Sequence, residues 1–100
     1  MDITVEGDGA LTTVKVAGEV DAHNCGELGE AILAAATGDG PKVAVDASEL
    51  GFIDSSAISE LLRVRNELEE RGGSLTIENA SSTVKRVLEI TGLLDTFGVT

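Results

Sequence analysis

One stretch near the middle of the chain, residues 50–62 (LGFIDSSAISELL), constrains the fold more than any other. An apolar run there gives way to one carboxylate and two hydroxyls before apolar residues return at helical spacing. The pattern predicts a loop that leads into a helix with Asp54 as its N-cap, because a carboxylate there accepts hydrogen bonds from first-turn amides and suits the positive end of the helix dipole. Ser55 and Ser56 then open the helix.

The residues that flank Asp54 predict a rigid start to this helix. With Asp54 as the cap, Ile53 falls at N′ and Ile58 at N4, the two positions of a hydrophobic staple. We therefore expect the hydroxyls of Ser55 and Ser56 to face outward. Two interpretations follow: plain capping chemistry, or a hydroxyl at a helix N-terminus that accepts a phosphoryl group. Residue chemistry alone favours capping, since capping serines outnumber regulated ones.

Composition and charge limit the kinds of partner that the chain can have. The 100 residues are 42% hydrophobic, which suits one compact core. No apolar run approaches the roughly 20 residues that cross a bilayer, and no signal peptide is evident, so we expect a cytoplasmic protein without membrane insertion. A net charge of −11 argues against nucleic acid and anionic membrane surfaces as partners. Proteins with a basic or mixed surface are expected instead.

The sequence offers no catalytic, cofactor or metal site. Cys25 and His23 are the only cysteine and histidine, which excludes an internal disulfide and a cysteine-rich metal site. Asp46, near the end of a predicted strand, could be the phospho-acceptor of a receiver domain, but the further carboxylates and the lysine of that chemistry are missing, so a structural role is favoured. Residues 38–42 lack the spacing of a P-loop. We expect no enzymatic activity and no cofactor.

Hydrophobic periodicity and turn residues predict seven elements in the order strand, strand, helix, strand, helix, strand, helix. Their expected positions are a hairpin around Glu6–Gly9 with its second strand at 12–17, a first helix toward Ala35, a strand at 43–47, a helix at 55–71, a strand at 74–78 and a helix that ends before Gly92. Two parallel crossovers give an α/β fold, with helices packed on a four- or five-stranded mixed sheet whose first strands are antiparallel, in one domain over residues 1–100.

Several helix ends carry residues that are typical of caps. The candidates are Asp21 or Asn24 for the first helix, with Glu27 completing a capping box on Asn24, then Ser81 or Ser82 for the last helix and Gly92 for its C′ position. The residues after Gly92 are expected to pack back as a half turn and a short edge strand.

Three segments together resemble the STAS domain, the fold of bacterial anti-sigma factor antagonists. Phe52–Ile58 is similar to the Asp-Ser-Ser or Asp-Ser-Thr motif that follows an apolar pair in that family. Val16–Asp21 is similar to its Gly-Glu-Leu-Asp segment, and Val87–Leu93 to its closing helix and Thr-Gly-Leu exit. Ala57 and Ser59 depart from the pattern, since the family usually has glycine at the first position and a small residue or glycine at the second. This departure bears on how a partner fits.

The resemblance implies a protein-binding switch that phosphorylation controls. An unmodified STAS antagonist binds an anti-sigma factor with a histidine-kinase-like ATPase fold, which phosphorylates the first serine of the motif, and a phosphatase removes the phosphoryl group. Carried onto this chain, the phosphorylation site is Ser55, with Ser56 as the second choice, and Asp54 orients the site. The partner-binding residues are then Asp21, Asp54, Ser55, Ser56 and Ser59.

A second hypothesis comes from another class of protein. STAS-like subunits also occur as non-switching scaffolds that brace the ATPase of membrane lipid transporters. An accessible serine is necessary for the switch and costs the scaffold nothing, so the sequence leaves both hypotheses open.

Overall fold

Seven elements form the structure of the protein, a computed structural model that describes residues 1–7 and 11–99. They are β1 (Asp2–Gly7), β2 (Thr12–Val20), α1 (Cys25–Ala35), β3 (Lys42–Ile53), α2 (Ser55–Glu70), β4 (Ser74–Glu78) and α3 (Ser82–Ile90). This order confirms the predicted one. The predicted turn around Glu6–Gly9 runs into residues 8–10, which lie outside the described residues.

A mixed four-stranded sheet with the order β1-β2-β3-β4 organises the fold. β1 pairs antiparallel with β2, while β2 with β3 and β3 with β4 are parallel, as predicted. The prediction of an edge strand after Gly92 is wrong, because that segment forms turns around Phe97, which is completely buried. It joins β4 through one hydrogen bond, from the Ile77 amide to the Phe97 carbonyl at 2.9 Å.

β3 is much longer than the sequence predicted, so the expected loop at residues 50–53 is strand. The extension forms because β2 continues to Val20 and pairs with this second half of β3, where Gly18 lies opposite Leu50 and Val20 opposite Ile53. Register shifts after Lys15 and after Gly18 place two bulges in β3. β4 pairs only with residues 42–46, so the second half of β3 has a single strand neighbour.

Asp46 consequently lies inside β3. The sequence-based prediction that it lies near the end of its strand is wrong. Its Oδ1 atom accepts a hydrogen bond of 3.0 Å from the amide of Ser48, at the first bulge. The structural role favoured for this carboxylate therefore has a physical basis, which is to brace the backbone where the strand changes register.

The core is aliphatic except for Phe97 and lies between the sheet and the helices. Its buried members include Val14, Val16, Val45 and Ile77 from the sheet, Leu28 and Ile32 from α1, Ile58, Leu61, Val64 and Leu68 from α2, and Val84 and Leu88 from α3. Burial of this apolar face, more than helix propensity, holds α1, α2 and α3 in place.

The ends of α3 show how this helix is fixed beside β3. Ser81 is its N-cap, with Oγ accepting from the Val84 amide at 3.3 Å and donating to the Leu50 carbonyl at 2.6 Å. The choice between Ser81 and Ser82 is thereby decided for Ser81. Gly92 occupies the predicted C′ position with φ +73°, a conformation that glycine adopts without steric cost.

Candidate functional site

The carboxyl ends of β2 and β3 bring two distant parts of the chain together at one edge of the sheet. Val20 and Ile53 are partners in the strand register, and the Asp54 amide donates to the Val20 carbonyl at 3.3 Å. Asp21 and Asp54 each follow one of these residues, so the two carboxylates begin neighbouring connections, one toward α1 and the other into α2. We call this region the acidic edge, defined by Glu19, Asp21, Phe52, Asp54 and Ser55.

Asp54 caps α2 as predicted. Its backbone is extended (φ −110°, ψ −176°), and its Oδ1 atom accepts a hydrogen bond of 2.9 Å from the Ala57 amide. Ile53 and Ile58, at the two staple positions, are 2% and 6% exposed and belong to the core. The start of α2 is therefore held by a side-chain hydrogen bond on one side and by buried aliphatic side chains on the other.

The three serines of α2 differ in accessibility. Ser55 is exposed and is the first residue of the helix, whereas Ser56 is half-buried. Ser59 is exposed on the same face as Ser55, because residues four apart on a helix share a face. The Ser55 hydroxyl thus lies at the positive end of the helix dipole and in contact with solvent, an environment that suits a negative group.

Ala57, which departs from the family pattern, does not obstruct this surface. The residue is completely buried, and its methyl group contributes to the core beneath α2. This departure therefore falls on the inner side of the helix, whereas the departure at Ser59 lies on the exposed face that Ser59 shares with Ser55.

Asp21 braces the turn that precedes α1. Its Oδ1 atom accepts hydrogen bonds from the amides of His23 at 2.9 Å and Asn24 at 3.2 Å. Asn24 occupies the N-cap position, but the predicted capping box with Glu27 is wrong, because the Asn24 side chain makes no capping hydrogen bond. Instead, Asn24 Oδ1 accepts from the Asp21 amide at 2.8 Å, and Asn24 Nδ2 donates to the Glu19 carbonyl at 2.9 Å. Asn24 thus ties the turn to the end of β2, a positioning role that the sequence analysis missed.

Phe52 is a surface residue of the acidic edge that the sequence analysis did not assign to it. Its side chain is 44% exposed, and its partner in the register, Glu19, is exposed as well. The signal in the sequence was its place directly before Ile53, since successive residues of a strand face opposite sides of the sheet.

The charged side chains of this edge, those of Glu19, Asp21 and Asp54, are all negative. The chain has no lysine or arginine in residues 16–41 or 43–62. Lys15 pairs with Glu49 at 3.6 Å and Arg63 pairs with Glu60 at 2.7 Å, while Lys42 begins β3 at the opposite end of that strand from Phe52. The Arg63 guanidinium lowers the pKa of Glu60 through its hydrogen bond, which keeps that carboxylate charged. A partner that covers this edge needs basic groups of its own.

None of the three helices in residues 1–7 and 11–99 has the length and apolar character needed to cross a membrane. Within the same residues, no three His, Cys, Asp or Glu side chains group as a metal ion would require.

Fold and site together define a small α/β domain with an exposed serine at a helix start beside the carboxyl ends of its strands. Residues 3–98 match the family described as "Mlab, STAS domain". The chain belongs to the STAS domain family.

Relatives of the chain are anti-sigma factor antagonists. The anti-sigma-B factor antagonist of Bacillus subtilis strain 168 is 29% identical over 82 residues, which are 82% of this chain and 74% of the relative. A crystal structure of an anti-sigma factor antagonist from Mycobacterium paratuberculosis is 26% identical and superposes with a TM-score of 0.79, covering 98% of this chain and 83% of that one. SpoIIAA of Bacillus in its phosphorylated form shares the fold, at 22% identity, a TM-score of 0.70, and coverage of 96% and 87%.

Proposed function

We propose that this protein is an anti-sigma factor antagonist that binds an anti-sigma factor with a histidine-kinase-like ATPase fold while Ser55 is unmodified. The observation that carries the proposal is the exposed Ser55 hydroxyl at the first position of α2, beside the cap formed by Asp54 and Ala57. The relatives named as anti-sigma factor antagonists support the class of partner. The phosphorylated form known for SpoIIAA supports covalent modification within this fold.

The chemistry at Ser55 is a phosphoryl transfer from ATP held by the partner. A bond forms between the serine Oγ and the γ-phosphorus, the bond to the β–γ bridging oxygen breaks, and ADP leaves. The Asp54 Oδ1 already accepts the Ala57 amide, so we assign the base that takes the hydroxyl proton to the partner. A phosphatase reverses the modification by hydrolysis of the phosphoserine.

Phosphorylation acts on the interface more than on the fold. It adds a charge of about −1.5 to −2 at Ser55. The dipole of α2 favours that charge and Asp54 opposes it, so we expect little unfolding. A kinase must hold nucleotide phosphates directly against Ser55. A phosphoryl group on Ser55 therefore repels those phosphates electrostatically and clashes with them sterically. Repulsion of this kind costs several kcal/mol, and about 1.4 kcal/mol is already a tenfold loss of affinity.

The other predicted residues lie on α2 or directly after the carboxyl ends of β2 and β3. Ser59 extends the same exposed face by one helical turn, and Ser56 lies next to it in a half-buried position. Asp54 directly precedes Ser55, and Asp21 follows Val20, the strand partner of Ile53. We propose that these residues line the partner surface, and that Ser56 is the modified residue only if Ser55 is not.

A pull-down from native lysate tests the proposal with Ser55→Ala and Ser55→Glu baits. Ser82 provides a matched control, because it is also an exposed first residue of a helix that follows a side-chain cap. We expect a kinase-type anti-sigma factor on the Ser55→Ala bait, its loss from Ser55→Glu, and its retention by both Ser82→Ala and Ser82→Glu. Equal retention of a transporter ATPase by both Ser55 baits would overturn the switch and favour the scaffold.

The choice between the two serines needs a second assay. The captured partner is incubated with labelled ATP and with wild-type, Ser55→Ala or Ser56→Ala protein. We expect Ser56→Ala to accept the label and Ser55→Ala to accept none. The reverse result would move the site to Ser56.

A further inference from the structure

The two phenylalanines of this chain have opposite environments. Phe97 is completely buried, whereas Phe52 is 44% exposed at the acidic edge. They are the only aromatic residues in the sequence. A large apolar side chain left in water costs free energy, and aromatic residues, phenylalanine included, are enriched in the cores of protein interfaces.

Strand geometry keeps Phe52 outside. Leu50 and Ile53 are both 2% exposed, and the bulge at Gly51 lets the strand bury these two side chains while residue 52 faces solvent. Glu19, its partner in β2, is exposed too. The exposure is therefore built into the register.

The side chains near Phe52 are acidic, and their charge indicates which kind of surface can bind over the ring. Glu19 lies across from it, Asp54 two residues further on, and Asp21 on the adjoining connection. A second copy of the chain would bring the same carboxylates together, and each copy carries a net charge of −11. A basic surface meets the same groups favourably.

We infer that Phe52 is the apolar anchor of the partner interface, and that its occupant is a pocket of the anti-sigma factor with apolar walls and a rim of lysine or arginine. The inference rests on the proposed function and specifies the partner surface for it. The basic rim faces Glu19 and Asp21 on the strand side of the edge. The nucleotide phosphates face Ser55 on the helix side, so attraction at the rim and repulsion of a phosphoserine do not conflict.

Calorimetric titration tests this inference, with the anti-sigma factor identified on the Ser55→Ala bait and then purified as the probe. Ile90→Ala is the matched control for Phe52→Ala, because Ile90 is 74% exposed at the far end of α3. Removal of a central anchor is expected to weaken binding about 30-fold, equally at low and high salt, while Ile90→Ala changes it less than about twofold. Glu19→Gln should weaken binding mainly at low salt.

Three results would overturn the inference. The first is a Phe52→Ala affinity within about twofold of wild type, and the second is an equal loss for Ile90→Ala. The third is a wild-type dimer in sedimentation equilibrium that Phe52→Ala converts to monomer, since the occupant is then a second copy. An unfolding temperature of Phe52→Ala close to that of wild type would show that the variant is folded, so that its weaker binding reflects the lost contact. If the Ser55→Ala bait captures no kinase-type partner, the proposed function fails and takes this inference with it.

Discussion

Gly29 of α1 lies directly against the carboxylate of Glu60 of α2, so closely that a Cβ atom on residue 29 would overlap it. Gly29 is buried, and the Glu60 carboxylate accepts hydrogen bonds from Arg63 at 2.7 and 2.9 Å. The absence of a side chain at residue 29 leaves room for the Glu60 carboxylate beside α1.

This contact predicts a coupling between the two residues in a double-mutant cycle. Gly29→Ala gains about 1 kcal/mol of helix propensity but forces the Glu60 carboxylate away from Arg63, so the net change should be under about 1 kcal/mol. In a Glu60→Ala background the same substitution should stabilise by about 1 kcal/mol. Urea unfolding measures both values. Gly26→Ala is the control, because nothing lies within 4 Å of its Cβ position. An equal gain for Gly29→Ala in both backgrounds would disprove the coupling.

Gly73→Ala should be strongly destabilising. A Cβ atom at residue 73 would meet the backbone carbonyl of Pro41, which also accepts the Ser74 amide at 3.0 Å where β3 and β4 begin. Backbone cannot yield as a flexible side chain does, so we expect a loss of about 2–3 kcal/mol in the free energy of unfolding. Gly51→Ala serves as the comparison, since its Cβ would make an ordinary contact of 3.7 Å with Gly18, and it should not destabilise. Equal stability of the two variants would contradict the close approach.

Variants of Asp54 can separate its capping role from its charge. Asp54→Ala removes the hydrogen bond to the Ala57 amide and should cost about 1 kcal/mol in urea unfolding. Asp54→Asn keeps an oxygen at the same position, so most of that stability should remain while the negative charge is lost. If both variants lose the same amount, the interaction of the charge with the helix dipole, and not the hydrogen bond, stabilises the start of α2.

Asp46 predicts a specific dependence of stability on pH. The hydrogen bond from the Ser48 amide lowers the pKa of this carboxyl in the folded state. The unfolded chain therefore binds the proton first as pH falls. Asp46 stabilises the folded state above the unfolded pKa of about 4, and this stabilisation is lost as pH falls through the lower pKa of the folded state. Asp46→Asn retains the acceptor oxygen but does not titrate. Its unfolding free energy should decline less steeply than that of wild type between about pH 4 and pH 2, and parallel curves would contradict this.

Local chemistry made part of this structure predictable from sequence. Asp54 was recognisable as a cap because the carboxylate, the hydroxyls and the two staple isoleucines all lie within six residues. The same holds for Gly92, where one glycine follows the last turn of α3. The modification of Ser55 stays a prediction, since geometry makes the hydroxyl accessible without showing that it reacts.

Features that depend on distant parts of the chain were missed. The length of β3 depends on pairing with β2, whose residues are more than thirty positions away, and that pairing is invisible to local periodicity. The exposure of Phe52 follows from a bulge within the same pairing. Asn24 has the composition of a cap, yet its side chain bonds back to Glu19, because the end of β2 lies within its reach.

The division of β3 into two halves implies that different opening motions expose its amides to hydrogen exchange. Residues 43–46 lie between two strands, so we expect their exchange with solvent deuterium to require the sheet itself to open. Residues 49–53 pair with β2 alone, and on their other side the Ser81 hydroxyl holds the Leu50 carbonyl at 2.6 Å. Local release of α3 can therefore loosen the segment that leads to Asp54 while the rest of the sheet stays intact. We therefore expect the amides of residues 43–46 to exchange more slowly than those of residues 49–53, although both sets belong to the strand that carries the acidic edge.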